Sequence, residues 1–427
     1  MPLAGYTPSV PGIDKDDDDE SPDNRQAWEK EWTILSQTSL VETDDEIVEV
    51  KLTVPGRVFF STSSNQAPLG KVRFSGNSAD VLDLFEVVST GGNGVIEIRQ
   101  RPNAQRSKFD GYLLVEVTFS HANKLLRLTS KGSADVVVEP NVFVSQAPKE
   151  QLEITLQGSG NVFVHDAPAL EVQEFALVVV GRGNIEFSTT QIEAKDVFAT
   201  LGGSGDIRLF ANALIASDTT TLALAGSGDI YLNSYNLSSH KVHTVVAGSG
   251  DISVYPAGKC VVEDVTIAGS GDVFLGSIVA ETVSVSIGGS GDAIVQATKS
   301  LSGGVVGSGD VEYFGTAPLV IAPKSTFFSG SKDPKPMAKA TDHNKFHEAK
   351  LSELPMRVPV HLSINTAPLD DTVTDRSVLV PLVLVALLAA WYIHYEHKKQ
   401  NAKRLENNLL KQQEMQPLTT TQAQVYV

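Results

Sequence analysis

The chain has 427 residues, a formal net charge of −17 and one cysteine, Cys260. The negative charge argues against nucleic acid and against anionic lipid as partners, and a single cysteine excludes an intrachain disulfide. With 34 glycines and 7% aromatic residues, the composition is typical of a glycine-punctuated β protein, and the length allows two or three domains.

Residues 1–44 form an acidic leader. The first 50 residues contain 14 Asp or Glu and 3 Lys or Arg, which with few apolar groups predicts disorder. The N-terminus has neither a basic region nor an apolar run, so no secretory signal is predicted. Two explanations stay open: the true start lies upstream, or a later apolar segment directs membrane insertion.

Residues 45–125 contain alternating apolar and polar segments at 47–54, 94–98 and 112–119. Such period-2 alternation predicts strands with one buried face. The segments have no fixed spacing, so we expect an irregular set of N-terminal coils or a cap.

The most informative feature is a four-residue signature, Gly-[Ser/Arg]-Gly-[Asp/Asn], which recurs eight times. Successive copies are 23, 22, 23, 22, 21, 20 and 18 residues apart. The last residues of the copies are Asn161, Asn184, Asp206, Asp229, Asp251, Asp272, Asp292 and Asp310. A ninth, degenerate copy ends at Asp135.

This period predicts a parallel β-helix over residues 126–316. About 22 residues are too few for a strand–helix–strand unit or for a propeller blade. Apolar residues occupy the positions five before, one after and three after each Asp or Asn, so stacked coils would bury a continuous, mainly aliphatic column. We attribute the signature glycines to turns with positive φ, and the shortening steps to a taper.

The column of acidic residues needs a structural explanation, because carboxylates about 5 Å apart repel one another. Hydrogen bonds to N–H groups of the turn, exposure to water, or bound cations would each relieve the repulsion. Asn161 and Asn184 fill the same position and are poor cation ligands, which favours a structural turn role. A weak Ca²⁺ ladder stays open as an alternative, and no metal site or cofactor is predicted.

The C-terminal part changes character after residue 316. Seven prolines between 317 and 376 predict a stalk. Residues 377–395 then form an apolar run long enough to span a bilayer. Lys398, Lys399, Lys403 and Arg404 follow it, so the positive-inside rule places the tail at 396–427 in the cytoplasm and the β-helix outside. A tail-anchored protein with a cytosolic β-helix is the less favoured alternative.

Two surface features are candidates for function. Four aromatic residues on successive coils, Phe210, Tyr231, Tyr255 and Phe274, have outward parity and could form a stacking platform for sugars or for a protein; the alternative is that they only cover the wall. Asn236-Leu237-Ser238 is an N-glycosylation sequon, expected in a loop between coils.

The run from Leu125 to Val138 and the repeated Leu-x-Leu-x-Gly-Ser-Gly-Asp-Ile-x-Leu resemble the auto-transporter adhesin "head GIN" family over residues 45–316. The resemblance implies a right-handed β-helix on a surface or secreted protein. It implies binding, and it carries over no catalytic residues. The C-terminal span and basic tail depart from the family pattern.

The sequence therefore favours a membrane-anchored adhesion or ligand-binding module whose ligand is an extracellular glycan or protein. A purely structural surface protein is the alternative that the sequence cannot separate from it. A polysaccharide-acting enzyme is less favoured, because the carboxylates are repeated once per coil whereas a catalytic constellation should be singular.

Overall fold

A computed structural model describes residues 28–34, 47–63, 69–89, 94–102, 108–323, 338–341 and 349–365. These residues all belong to one compact unit, Met1–Thr374. The predicted span at 377–395 and the tail at 396–427 lie outside the described residues. Within the described ranges, no helix is long and apolar enough to cross a bilayer.

The N-terminal part is a cap of mixed strands. Its elements are β1 (Trp28–Ile34), β2 (Glu49–Thr53), β3 (Arg57–Thr62), β4 (Gly70–Gly76), the short helix α1 (Ala79–Leu82), β5 (Phe85–Ser89), β6 (Val95–Gln100) and β7 (Lys108–Phe119). Antiparallel pairs β1–β4, β4–β7 and β5–β6 close this end, which covers strand edges that would otherwise be open.

The acidic leader is not wholly unstructured, contrary to the prediction. Its residues 28–34 form β1, which pairs antiparallel with β4. Glu31 lies 3.0 Å from Lys71 and 3.5 Å from Arg73 across this pair. The acidic composition that argued for disorder is thus matched locally by basic residues of the neighbouring strand.

The rest of the chain to residue 323 forms a parallel β-solenoid. Its strands are β8 (Arg127–Ser130), β9 (Asp135–Val138), β10 (Gln146–Leu156), β11 (Val162–Ala167), β12 (Leu170–Val179), β13 (Ile185–Leu201), β14 (Ile207–Leu224), β15 (Ile230–Val246), β16 (Ile252–Ile267), β17 (Val273–Phe274), β18 (Ile278–Gly289), β19 (Ala293–Val295), β20 (Ala297–Gly307), β21 (Val311–Tyr313) and β22 (Val320–Pro323). Strands β2 and β3 pair parallel with β8 and β9, so the stack begins inside the cap.

Each central coil is one long bent strand that begins after one signature and ends before the next. Ile185, Ile207, Ile230 and Ile252 are register partners in consecutive coils. The residues at the three predicted inward positions are buried, except the half-buried Tyr313. The prediction of an all-β parallel solenoid with coils of about 22 residues is confirmed.

The signature glycines are required mainly by the close approach of neighbouring coils. A Cβ atom on Gly228 would lie 1.8 Å from the carbonyl oxygen of Gly205, and one on Gly226 would lie 1.9 Å from that of Gly203. Among the signature glycines, only Gly289 and Gly307 have positive φ, at 154° and 136°. Positive φ was therefore the wrong explanation for most of the signature glycines. Glycine is required there because a Cβ atom would clash with the backbone of the neighbouring coil.

A segment that we call the strap, residues 338–341 and 349–365, returns along the outside of the solenoid. It begins with β23 (Ala338–Lys339), which pairs with β21 of a late coil. It ends with β24 (Val360–Asn365), antiparallel to β7 in the cap. The prediction of a stalk over 317–376 is wrong for these residues, since the extended backbone that proline favours lies against the solenoid wall.

Candidate functional site

The Asp and Asn residues of the signatures form a hydrogen-bonded ladder. From Asp135 to Asp292, each side-chain Oδ1 accepts a hydrogen bond from the backbone N–H of the corresponding residue in the next coil, at 2.6–3.0 Å, and Asp310 is the last donor. The predicted partner was an N–H of the turn, and the partner found belongs to the neighbouring coil. The ladder therefore links successive coils at the corner.

The second carboxylate oxygens of the ladder have other partners in two coils. Arg208 donates to Oδ2 of Asp206 at 2.8 Å, and the Tyr231 hydroxyl donates to Oδ2 of Asp229 at 2.9 Å. Burial, followed by the neighbouring carboxylates, raises the pKa of Asp251, although the N–H of Asp272 opposes this. Among the described residues, no group of three or more His, Cys, Asp or Glu side chains is placed to hold a metal ion.

The four aromatic residues of the predicted platform do not form one row. Tyr231 and Phe274 occupy the column two residues after the Asp, with Ser253 between them. Phe210 and Tyr255 occupy the column four residues after it, with Asn233 between them. Outward parity was correct, but it does not distinguish these two columns, so the four rings do not form one continuous row. A binding role for them stays a prediction.

Phe274 is also buried, with 1% of its surface exposed. It packs with Ile294, with Ala340 of the strap and with the partly buried Phe314. The strap thus covers part of the outward wall, which sequence parity alone assigns to solvent.

Glu186 is the anchor of the strap on this wall. Its Oε1 accepts hydrogen bonds from Arg208 Nη1 at 2.7 Å and from Ser352 Oγ at 2.6 Å, and its Oε2 accepts one from the Ser352 N–H at 2.8 Å. His165 Nε2 lies 3.5 Å from Oε2, at the long limit of a hydrogen bond.

These contacts decide the charge of Glu186, whose side chain is only 1% exposed. Burial alone would raise its pKa, but His165, Ser352 and Arg208 outweigh burial and lower the pKa to about 2. A carboxylate that is ionised throughout the neutral range and fully hydrogen-bonded is suited to holding the strap, and it is poorly suited to donating a proton to a substrate.

A second buried carboxyl group, Glu263, has the opposite environment. It is 0% exposed in the core, between Val242 and Val283 of neighbouring coils, and neither carboxylate oxygen has a hydrogen-bond partner among the described residues. Burial, and then the charge of Asp264, raise its pKa well above the ordinary value. Burial likewise raises the pKa of the nearby Cys260 thiol, followed by the influence of Glu263.

One cleft on the solenoid combines exposed polar and aromatic groups, and we call it the bend cleft. It has a volume of about 290 Å³. It lies where the strands bend, since the alternation of buried residues shifts there, as between Thr189 and Ile192 of β13. The residues that line it include Asp166, Thr190, Phe210, Asn212, Tyr235 and, from the strap, Leu351. Of the predicted platform, only Phe210 lies in it.

Sequence reasoning missed the other residues of the bend cleft, although their spacing was visible. Thr190, Asn212 and Tyr235 each lie six residues after a signature Asp or Asn, and they occupy equivalent bend positions in the coil register. All three are exposed, Tyr235 by 64%. Aligning the copies at this offset would have found them, whereas nothing in the repeat predicts Leu351.

Two irregularities of register shape the cleft. Beside His165 and Asp166, β11 has one more residue than β13, and Asp166 has φ of 55°. Beside Tyr235 and Asn236, β15 has one more residue than β16. A β-bulge re-aims side chains at a sheet surface, so the cleft lies where the repeat is broken at both ends.

The sequon residue Asn236 is exposed, immediately after Tyr235. It lies within the continuous strand β15 rather than in a loop between coils, so the expected loop is absent. The register irregularity beside Tyr235 and Asn236 lies in this part of the strand, and the Asn236 side chain is accessible.

A family model described as "Putative auto-transporter adhesin, head GIN domain" matches residues 62–259 and 200–317. The chain belongs to this family. The family description names an adhesin and no enzyme, which supports a surface adhesion-like protein with an external ligand. No curated protein matches the chain.

Several crystal structures are similar to the chain at low identity. One is described as a "Putative lipid binding protein" from Parabacteroides distasonis ATCC 8503, with 18% identity, 74% of this chain and 98% of that chain covered, and a TM-score of 0.33. Another is "a putative adhesin" from Parabacteroides merdae ATCC 43184, with 14% identity, the same coverage of 74% and 98%, and a TM-score of 0.33.

Proposed function

We propose that the protein is a membrane-anchored adhesion module of the cell surface, which binds an extracellular ligand through the wall of its solenoid. In this proposal a single span at 377–395 holds the chain in the membrane, and the tail at 396–427 is cytoplasmic. The apolar length of the span and the four basic residues that follow it support this arrangement. The family match supports the adhesion role of the solenoid.

The observation that carries the binding role is the bend cleft. At the described corner column the same residue types recur from coil to coil, whereas the bend cleft gathers exposed groups that differ from one coil to the next. Stacking coils demands the repeated residues, but it does not demand an exposed tyrosine in the same cleft as an amide and a carboxylate. Such a set is suited to recognition.

We also propose that the module acts by binding alone. Glu186, the most strongly perturbed carboxylate of the wall, is ionised and shared among Arg208 and Ser352. The ladder carboxylates from Asp135 to Asp292 accept inter-coil hydrogen bonds, so their role is structural.

Adhesion can be measured directly with the full-length protein. Cells that make the chain and cells that carry an empty vector are compared for attachment to surfaces coated with glycoproteins, with deglycosylated glycoproteins and with albumin. We expect severalfold greater attachment of the producing cells to at least one coated surface. Equal attachment of producing and empty-vector cells on every surface would contradict the adhesion function and favour a purely structural surface protein.

Orientation needs a separate experiment. Protease added to intact producing cells should degrade the solenoid and spare the tail after Lys398, because the membrane shields it. If the host is eukaryotic, the mass of the chain should also fall on glycosidase treatment, and Asn236→Gln should abolish that shift. Full protection of the solenoid in intact cells would reverse the orientation.

A further inference from the structure

The bend cleft has a lining chemistry that narrows the class of its ligand. Its described lining residues include the rings of Phe210 and Tyr235, the amides of Asn212 and Asn233, and the carboxylate of Asp166, and none of these described residues is Lys, Arg or His. Arg208, two residues before Phe210, is already paired with Glu186 at 2.7 Å and with Asp206 at 2.8 Å. The part of the cleft that the structure describes therefore offers no cation to an anionic ligand.

The polar groups are arranged to meet hydroxyl groups. A carboxylate accepts hydrogen bonds at two oxygens, and an amide both donates and accepts. Asp166 is held in its left-handed conformation at the bulge while its N–H donates to Ser188 Oγ at 2.9 Å. Because this backbone is fixed, its exposed side chain is presented beside the cleft in a defined position.

The aromatic groups supply a complementary apolar surface. Tyr235 is 64% exposed at the rim. The half-buried Phe210 is the register partner of Asn233 in the neighbouring coil. The face of an aromatic ring is electronegative and attracts C–H bonds that carry partial positive charge. A pyranose ring presents C–H bonds on its faces and hydroxyls around its edge, which matches a cleft with rings and short polar groups.

The strap completes the cleft from the other side. Leu351 lines it, and the next residue, Ser352, is fixed to Glu186 by two hydrogen bonds of 2.6 and 2.8 Å. A volume of about 290 Å³ lies at the lower end of ligand pockets, which are roughly 300–1,000 Å³. That space suits one or two sugar rings.

We infer that the bend cleft binds a neutral saccharide, one or two pyranose rings long, with Tyr235 stacking on a ring face and Asp166 accepting hydrogen bonds from ring hydroxyls. This inference rests on the proposed adhesion function, since it names the chemistry of the extracellular ligand.

The experiment uses the full chain in detergent micelles and saturation-transfer NMR with a panel of neutral methyl pyranosides and lactose. Glucuronic acid is the matched anionic probe. We expect saturation transfer to at least one neutral sugar and none to glucuronic acid. Binding only of the anion, or of no sugar in the panel, would overturn the inference.

Variants then locate the site. Tyr235→Ala and Asp166→Asn should each weaken binding by about tenfold, which corresponds to the loss of one stacking or charged hydrogen-bond interaction. Tyr235→Phe, which keeps the ring, and Asp218→Asn, which removes an exposed carboxylate of β14 outside the cleft, should bind as the parent does. Unchanged binding in Tyr235→Ala and Asp166→Asn would place the sugar elsewhere.

The same variants separate this inference from the proposed function. If cells that make Tyr235→Ala attach as well as parental cells, the module is an adhesin that uses another surface, and the cleft assignment fails alone. If parental cells do not attach to any coated surface, the adhesion function itself fails, whatever the NMR result.

Discussion

The corner and the bend of the solenoid follow opposite rules, although both lie on every central coil. At the corner, a residue contacts its own equivalent in the next coil: Gly228 faces Gly205, and Asp229 accepts from Asp251. At the bend, Thr190, Asn212 and Tyr235 occupy equivalent positions with unrelated chemistry. Residues that repeat are required for stacking, and residues that vary on an exposed surface are available for a ligand.

The strongest way to break the corner is to add one methyl group. Gly228→Ala places a Cβ 1.8 Å from the Gly205 carbonyl oxygen, so one of the two backbones must move. We expect a loss of more than about 3 kcal/mol of unfolding free energy, since overpacking against backbone relaxes poorly. Chemical denaturation should show it, with the exposed neighbour Ser227→Ala as a nearly neutral control. Equal stability of the two variants would show that close approach does not select glycine here.

Substitution of Glu186 tests a residue of the wall that does not recur from coil to coil. Its folded pKa is about 2, below the ordinary 4.5, so its stabilising contribution is present above about pH 4.5 and is lost as the pH falls toward 2. Glu186→Gln should therefore cost roughly 2–3 kcal/mol at pH 7 and much less at pH 2.5. The exposed Glu193→Gln on the same strand is the matched control, and a cost independent of pH would refute the ionised anchor.

Glu263 is a singular residue in the core, and its pKa is raised rather than lowered. The folded state then keeps its proton while the unfolded state loses it, so stability falls as the pH rises from about 4.5 toward the folded pKa. Glu263→Val, which matches Val242 and Val283 in the column, should raise stability at pH 7 by about 2 kcal/mol. It should also remove this pH dependence. A less stable variant would mean that the carboxyl group has a partner in solution.

The smallest expected effect is at Asp229 of the ladder. It distinguishes a ladder held by hydrogen bonds from one that binds calcium. Asp229→Asn should be almost neutral, because the amide oxygen can still accept from the Asp251 N–H, as Asn161 and Asn184 do in their coils. Asp229→Leu should cost about 1–2 kcal/mol by leaving that donor unpaired. A large drop in the melting temperature of the parent protein on adding EDTA would instead indicate a calcium ladder.

The repeat alone predicted the solenoid because each inward position recurs in register, as at Ile207 and Ile230. Parity also placed Tyr231 and Phe210 outside. Parity could not show that they occupy different columns. Alternation has a period of two, so positions two and four residues after the Asp have the same parity. The strap could not be predicted at all, because its contacts, such as Ser352 with Glu186, join residues 166 positions apart and follow no period.

The return of the strap to the cap determines how the molecule would respond to mechanical tension. A pull on the chain beyond Asn365 reaches β24 first, and β24 is only 6 residues long, whereas the coil strands β14 and β15 have 18 and 17 residues. Arg357, which donates to Glu116 at 2.7 Å and to Glu139 at 2.9 Å, and then Ser352 on Glu186 would yield next. Tension would therefore peel away the strap, lengthening the tether and removing Leu351 from the bend cleft, before it separated any two coils.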